Sequence, residues 1–372
     1  MDRRRFLLGM AVIVATSAGQ CAAAAAAEAA ANENSAMPRP PKRTRPLVAI
    51  VADNRGTETT DLMIPQAILA RSGLADVVVV APQSGDIALM PALTIAAQQT
   101  LDAFDRAHPD GADYVIVPAF HHDDDRGPVV DWLRRQADSH AIVMGICEGA
   151  KVLGRAGLLD GRKATTHWYA ADSLRSAYPT MRWTPQRRYV IDGGIVTTTG
   201  VTASLPVSLA LVEAIGGGAP ARALADSIGI ADYGDTHPGG RYRLDAGRIW
   251  RIVANGAAVW RHETAGIAAG DGIDGIALAL TADAWSRTFR SQAIAIGAAS
   301  SVVTREGLHL RLADQTDRRK PDWIIRLDDD LPSARHLDRA LAAISSRYGD
   351  DTADLVALQL EYPWPDGLGD MR

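Results

Sequence analysis

Ala141-Ile142-Val143-Met144-Gly145 is an apolar run short enough for a strand buried on both faces, Ile146-Cys147-Glu148 breaks it, and Gly149 opens a helix-compatible stretch. A strand, a sharp turn and a helix in that order restrict the chain to folds in which a sheet edge presents one side chain from a tight bend. Here that side chain is Cys147. Such a turn lifts its middle residue above the carboxyl edge of the sheet, and the helix start behind it favours a thiolate over a thiol. Cys147 is therefore the first candidate for nucleophilic chemistry, against the plainer alternative of a small buried hydrophobe.

The surrounding pattern agrees with an open sheet. Leu47 to Ala52 is continuously apolar, as a strand covered on both faces must be. Val77–Val80 and Tyr114–Val117 are similar runs closed by Pro82 and Pro118, and Val129 to Ala137 has helical spacing. Arg188 to Thr198 reads as a hairpin turning at Asp192-Gly193, and Leu205 to Ile215 as a helix stopped by Gly216-Gly217-Gly218. Strands alternating with helices predict an α/β domain over 47–218, a parallel sheet with helices on both faces.

Beyond Gly218 the pattern changes. Ile249–Val253, Ala257–Trp260, Ile276–Leu280, Leu308–Leu312 and Trp323–Leu327 are short and strand-like, Ser333 to Tyr348 is helical, and Leu355 to Tyr362 reads as a last strand. A length of 372 residues with 47% hydrophobic residues accommodates two domains. The second, 219–372, is expected to be a smaller α+β domain, and the tryptophans Trp250, Trp260, Trp285 and Trp323 to belong to its core.

The N-terminus places Arg3-Arg4-Arg5-Phe6-Leu7 before a moderate apolar core and an alanine-rich tract to Ala31. That order predicts a cleaved twin-arginine export signal over 1–31 and a periplasmic protein, with an uncleaved anchor as the alternative. Pro38, Pro40, Pro41 and Pro46 mark 32–46 as a linker. Gln20 fits poorly with lipid attachment at Cys21, and with Cys21 removed Cys147 is the sole thiol, so no intramolecular disulfide forms. A net charge of −5 gives no electrostatic case for a nucleic-acid partner.

The stretch Ala141–Ala150, followed by Gly157-Leu158-Leu159-Asp160-Gly161-Arg162-Lys163-Ala164-Thr165-Thr166-His167-Trp168, resembles the ThiJ/PfpI superfamily, whose fold is shared with class I glutamine amidotransferases. Within it the likeness is nearest to the amidase-like domain of AraC-type regulators and to isocyanide hydratases. The resemblance spans 47–217 and implies a flavodoxin-like sheet. No helix-turn-helix pair follows Gly218, so the DNA reader of those regulators has no counterpart here.

The resemblance also implies site residues. An acidic side chain from the loop after the first strand belongs against the cysteine sulfur; Asp61, counted back from Pro65, takes that place, with Glu58 as competitor and a helix N-cap as the alternative role for Asp61. His167 would shuttle a proton or orient a substrate. Glu148 stands where relatives carry histidine or threonine, and an anion there disfavours a second negative charge on sulfur. An oxyanion hole is expected from the N–H of Cys147 or Glu148 and from the turn Pro118-Ala119-Phe120, where relatives have Pro-Gly-Gly. Ala119, Phe120, Glu148 and Gly149 would line the substrate pocket, narrowed by Phe120.

His121-His122-Asp123-Asp124-Asp125 is dense in metal-ligating types, but adjacent loop residues seldom all point inward, and no metal or cofactor is expected. Arg187-Arg188 and Arg318-Arg319-Lys320 read as solvated surface. The leading expectation is a cysteine-dependent enzyme acting on a small electrophile by hydration, amide hydrolysis or glyoxalase-like chemistry. The alternatives are a non-catalytic ligand-sensing module and a redox role for Cys147. A homodimer is expected from the resemblance.

Overall fold

The computed structural model describes residues 36–364 apart from 40–41, 122–126, 314–319 and, within 238–261, all but 242, 247, 251 and 255. The expected signal over 1–31, the strands at 249–253 and 257–260, His122–Asp125, Trp250, Trp260, Arg318 and Arg319 lie outside the described residues. Residues 36–372 form one compact unit.

The first part runs β1 (Leu47–Val51), β2 (Thr57–Glu58), α1 (Thr59–Ser72), β3 (Asp76–Ala81), β4 (Asp86–Met90), β5 (Thr94–Ala96), β6 (Gln99–Thr100), α2 (Leu101–Ala107) and β7 (Tyr114–Val117). There follow α3 (Pro128–Asp138), β8 (Ile142–Gly145), α4 (Gly149–Arg155), β9 (Lys163–Ala164), α5 (Ala171–Ala177), β10 (Arg182–Trp183), β11 (Tyr189–Asp192), β12 (Ile195–Thr198), a 3-10 turn (Val201–Ala203), α6 (Ser204–Gly216) and α7 (Gly218–Ile228). The main sheet has the order β11-β12-β8-β7-β1-β3-β6, parallel except for the β11–β12 hairpin. β1, β7 and β8 are wholly buried, as their uninterrupted apolar runs require. Two cores sandwich the sheet, one built with α1, α6 and α7 and the other with α2 to α5. The α/β architecture with helices on both faces is the one the strand pattern predicts.

The second part runs β13 (Glu263–Ala268), α8 (Gly275–Ser286), β14 (Ser291–Ile296), β15 (Ser301–Val303), β16 (His309–Arg311), β17 (Trp323–Ile325), a 3-10 turn (Ser333–Arg335), α9 (His336–Tyr348) and α10 (Asp350–Gln359). Two expectations are corrected here. Ile276–Leu280 lies in helix α8, and Leu355 onward lies largely in helix α10, not in strands. A short apolar run does not distinguish a buried strand from a buried helix by periodicity, and α8 is buried from Gly275 to Trp285. Helix α7 begins at Gly218, inside the glycine run that reads as the stop of α6, so the sequence pattern does not signal it.

The two parts are joined by more than a linker. Helix α8 packs along α1, which is itself buried from Thr59 to Leu69. β16 pairs antiparallel with β5, so the strands β15-β16-β5-β4-β2 form one sheet that crosses the expected boundary at 218. Residues from both parts share a continuous apolar core. Among the described residues no helix is long and apolar enough to cross a membrane.

Candidate active site

The bend between β8 and α4 is tight for a reason visible in its glycines. A Cβ on Gly149 would stand 2.0 Å from the Val117 carbonyl oxygen, so only glycine lets α4 start this close to β7. Gly149 is thus a packing position. The preceding Cys147 sits at φ +53°, a left-handed conformation that costs a non-glycine residue about 1–2 kcal/mol. The strain is held by two hydrogen bonds: Cys147 N–H donates to Thr198 Oγ1 at 3.0 Å, and Thr166 Oγ1 donates to the Cys147 carbonyl at 2.8 Å.

Cys147 is 6% exposed. Burial, then the charges of Asp61, Glu148, Glu58 and Glu361, push Cys147 well above the ordinary thiol range. The expectation of a thiolate favoured by the helix start is therefore corrected: α4 is seven residues long, and desolvation among carboxylates outweighs its dipole. At neutral pH the group is S–H.

Asp61 and Glu58 divide the two roles considered for one acid. Glu58 is the N-cap of α1, accepting the Asp61 N–H at 2.6 Å, and its other oxygen pairs with Arg287 at 2.7 Å. Asp61, fully buried in the first turn, accepts the Ala119 N–H on Oδ2 at 3.1 Å, while its Oδ1 has no hydrogen-bond partner. Burial and the neighbouring Glu58 raise Asp61 well above the usual carboxylate range. A neutral carboxyl with an uncommitted oxygen thus lies in the electrostatic reach of the cysteine, though no hydrogen bond joins it to the sulfur.

Other expected residues are already engaged. The Cys147 N–H is committed to Thr198 and the Ala119 N–H to Asp61, so two expected oxyanion donors have partners in this state. His167 is 8% exposed; its Nε2 lies 3.1 Å from the Gln359 carbonyl and its Nδ1 lies 3.3 Å from the Tyr169 N–H, so both ring nitrogens are engaged by backbone groups. Glu148 pairs with Lys151 at 2.5 Å. Phe120 lines a cavity of about 300 Å³ together with Asp53, Pro82 and Val152, and neither Cys147 nor Asp61, Glu148 or Gly149 is among its lining residues. Among the described residues no group of three or more His, Cys, Asp or Glu is placed to hold a metal ion, and His121 is exposed with its N–H on Gly56 O.

Two charged residues the sequence reading did not find come from the second part. Arg287, at the C-terminal end of α8, lies between Glu58 and Asp283, at 2.7 Å from each. Burial opposes its charge, but the two acids hold the guanidinium charged, and burial in turn pushes Asp283 up to about 8. Glu361 follows α10 at φ +50°, accepts Trp168 N–H at 2.8 Å and pairs with His237 Nε2 at 3.0 Å. Burial alone would raise Glu361; the His237 hydrogen bond and nearby His167 outweigh it and hold it below the usual range. The one sequence signal for Arg287 is that it follows Asp274 at the spacing by which Arg71 follows Glu58.

The DJ-1/PfpI family profile matches residues 47–214. Residues 47–214 are a DJ-1/PfpI family domain. Among curated proteins, the HTH-type transcriptional regulator CdhR of Pseudomonas aeruginosa is 43% identical over 84 residues, 23% of this chain and 25% of that protein. The isonitrile hydratase of Pseudomonas putida is 40% identical over 89 residues, 24% of this chain and 37% of that protein. The HTH-type transcriptional regulator GlxA of Rhizobium meliloti is 32% identical over 155 residues, 39% of this chain and 44% of that protein. The chain thus spans less than half the length of these relatives. A DJ-1 superfamily protein of Salmonella typhimurium is matched in structure at 24% identity with a TM-score of 0.45, covering 50% of this chain and 100% of that one.

Proposed function

We propose that the DJ-1/PfpI domain hydrates a small neutral electrophile of the isocyanide class through Cys147 and Asp61. The observation that carries this reading is the buried, neutral Asp61 carboxyl with one unpartnered oxygen beside a cysteine held in a strained bend. The carboxylates of Glu58, Glu148 and Glu361 around the sulfur disfavour a free thiolate and repel anionic substrates. A neutral relay avoids both problems. The Cys147 sulfur bonds to the isocyanide carbon while Asp61 gives its proton to that carbon and takes the thiol proton, so no net charge forms. Water then adds to the resulting C=N carbon, the C–S bond breaks, the sulfur recovers a proton through Asp61, and an N-substituted formamide leaves.

The relative named isonitrile hydratase supports the substrate class. Cys147 is a buried residue, 6% exposed, which favours a small substrate. The test is formamide formation from small alkyl isocyanides, followed by NMR, with Cys147→Ala and Asp61→Asn in parallel. Turnover that both substitutions remove supports the reading; no turnover and no adduct on Cys147 by mass spectrometry overturns it.

A ligand-sensing module is the second reading. It is favoured by the occupied N–H groups of Cys147 and Ala119 and by the relatives named as transcriptional regulators. Saturable binding of such compounds without product, unchanged in Cys147→Ala, would select it. We further infer export to the periplasm from the Arg3–Leu7 order. Cell fractionation of Arg3→Lys/Arg4→Lys, expected to retain the precursor in the cytoplasm, tests this.

A further inference from the structure

The second part repeats the first. β13-α8-β14-β15-β16-β17 follows the order of β1-α1-β3-β4-β5-β7, and the parallel neighbours β14-β13-β17 reproduce β3-β1-β7. The hairpin β15–β16 matches β4–β5, and the two hairpins meet antiparallel through Leu310 and Ile95. Next, a 3-10 turn, a 13-residue helix, a glycine at φ 89° and a further helix (Ser333 to Gln359) match the 3-10 turn, 13-residue α6, Gly217 at φ 88° and α7. The sequence Ala97-Gln98-Gln99-Thr100 returns as Ala313-Asp314-Gln315-Thr316.

The contacts between the parts are reciprocal. Glu58 caps α1 and pairs with Arg287; Asp274 caps α8, accepting Ile276 and Ala277 N–H at 3.0 Å, and pairs with Arg71 at 2.6 Å. One shift in numbering carries Glu58 to Asp274, Arg71 to Arg287 and Ala97 to Ala313. A second shift carries Gly200 to Pro332 and Gly229 to Glu361, and there a Cβ on Gly200 would meet Glu361 at 2.7 Å while one on Gly229 would meet Pro332 at 2.8 Å. A cavity of about 330 Å³ between the parts is lined by the related pairs Leu205 and Leu337, Thr202 and Ala334, Ile230 and Tyr362. Contacts in which i touches j and the equivalent of j touches the equivalent of i are what a two-fold axis between identical subunits produces. The shifts differ because, among the described residues, nothing between β17 and the 3-10 turn at Ser333 corresponds to β8, the cysteine bend or β11–β12.

We propose that residues 263–361 are a truncated second copy of the DJ-1/PfpI domain, fixed in the place of a partner subunit, which has lost its own thiol site and supplies Arg287 and Glu361 as positioning residues to the Cys147 site. The inference deepens the proposed function and rests on Cys147 being its centre. Arg287 is the copy's contribution beneath Glu58 and Asp61; Glu361 orders the His167 segment through Trp168 N–H. The homodimer expected from the resemblance is thereby replaced by a pairing within one chain. The titratable groups that act on the sulfur are Asp61 from α1, Glu58 at its N-cap, Glu148 from the bend, Glu361 after α10 and Arg287 from the end of α8; Lys151 pairs with Glu148 and Asp283 with Arg287. Arg287 is the cation that offsets the acids of α1.

The duplication provides its own control, because Arg71 makes the mirror-related contact at the end that holds no thiol. In the full chain with Cys21→Ser, the Cys147 ionisation midpoint is read from the Cβ carbon NMR shift of labelled cysteine, which needs neither turnover nor reagent access. Arg287→Met is expected to raise the midpoint so that the thiolate fraction at a fixed alkaline pH falls about tenfold, and Arg71→Met to leave it unchanged. A midpoint in Arg287→Met that is unmoved, lowered, or moved equally in Arg71→Met overturns the proposal. Should either variant fail to fold, Glu58→Gln is expected to lower the midpoint and Asp274→Asn to leave it, and equal responses overturn the proposal. A protein that hydrates no isocyanide yet shows this asymmetry fails the proposed function and keeps the inference.

Discussion

The two β-α-β cores of this chain, 47–117 and 263–325, build the same arrangement and put it to opposite uses. In the first, the sheet continues through β8 into the cysteine bend, and a fully buried Asp61 is raised well above the carboxylate range. In the second, the sheet stops at β17, and the partly buried Asp274 is lowered: burial opposes this, but Ser333 Oγ, the Ala277 N–H and Arg71 outweigh it. One copy holds an acid at a cost in stability and gains an uncommitted proton donor. The other satisfies its acid completely and gains a rigid helix start. Duplicated topology fixes where the acids go; the partners around each decide whether it stores free energy or releases it.

The largest effect expected from this contrast is the loss of isocyanide turnover in Cys147→Ala, by on the order of 10³-fold or more. Residual turnover assayed as formamide would mean that chemistry resides elsewhere, and would break the assignment of the two copies.

Next comes Asp61→Asn. A carboxyl whose pKa is raised on folding contributes stability below its unfolded pKa of about 3.9 and loses it as pH rises. Asn is neutral throughout, so Asp61→Asn should be more stable than wild type at pH 7 and converge with it below about pH 4. Urea denaturation across pH checks the sign. A destabilised variant at pH 7 would show that Asp61 is charged and satisfied.

The mirror-related glycines sharpen the comparison further. Gly200→Ala and Gly229→Ala each place a Cβ within 3 Å of the other copy, and each should cost about 1–3 kcal/mol by thermal denaturation. Only Gly200→Ala, which presses on both Glu361 and the His167 ring, should also alter catalysis. Equal effects on catalysis would remove the distinction between the two ends.

The smallest effect belongs to the scaffold copy. Asp274→Ala removes the α8 cap and should lower stability by about 1–2 kcal/mol. Asp274 has the opposite sign to Asp61: its contribution is present above its unfolded pKa of about 3.9 and fades as pH falls below it. The variant and wild type should therefore converge in acid when unfolding is followed by circular dichroism, while Cys147 ionisation at high pH stays unchanged.

Much of this was legible in the sequence alone. Uninterrupted apolar runs at Leu47, Tyr114 and Ala141 determined three central parallel strands, because a strand covered on both faces tolerates no polar residue. The strand-glycine-cysteine-glycine order determined the bend, because Gly149 is the residue type that can pass Val117 O at van der Waals range. The short apolar runs at Ile276 and Leu355 were ambiguous, and tertiary burial made them helices. Only the tertiary structure decided the protonation of Cys147, since the helix start is local and the desolvating carboxylates come from α1, from the bend and from the far end of the chain. It also brought Arg287 onto Glu58 across 229 residues of sequence. Periodicity reports what one segment buries; which charge lies opposite another is set by how the two copies dock, and no local pattern encodes that.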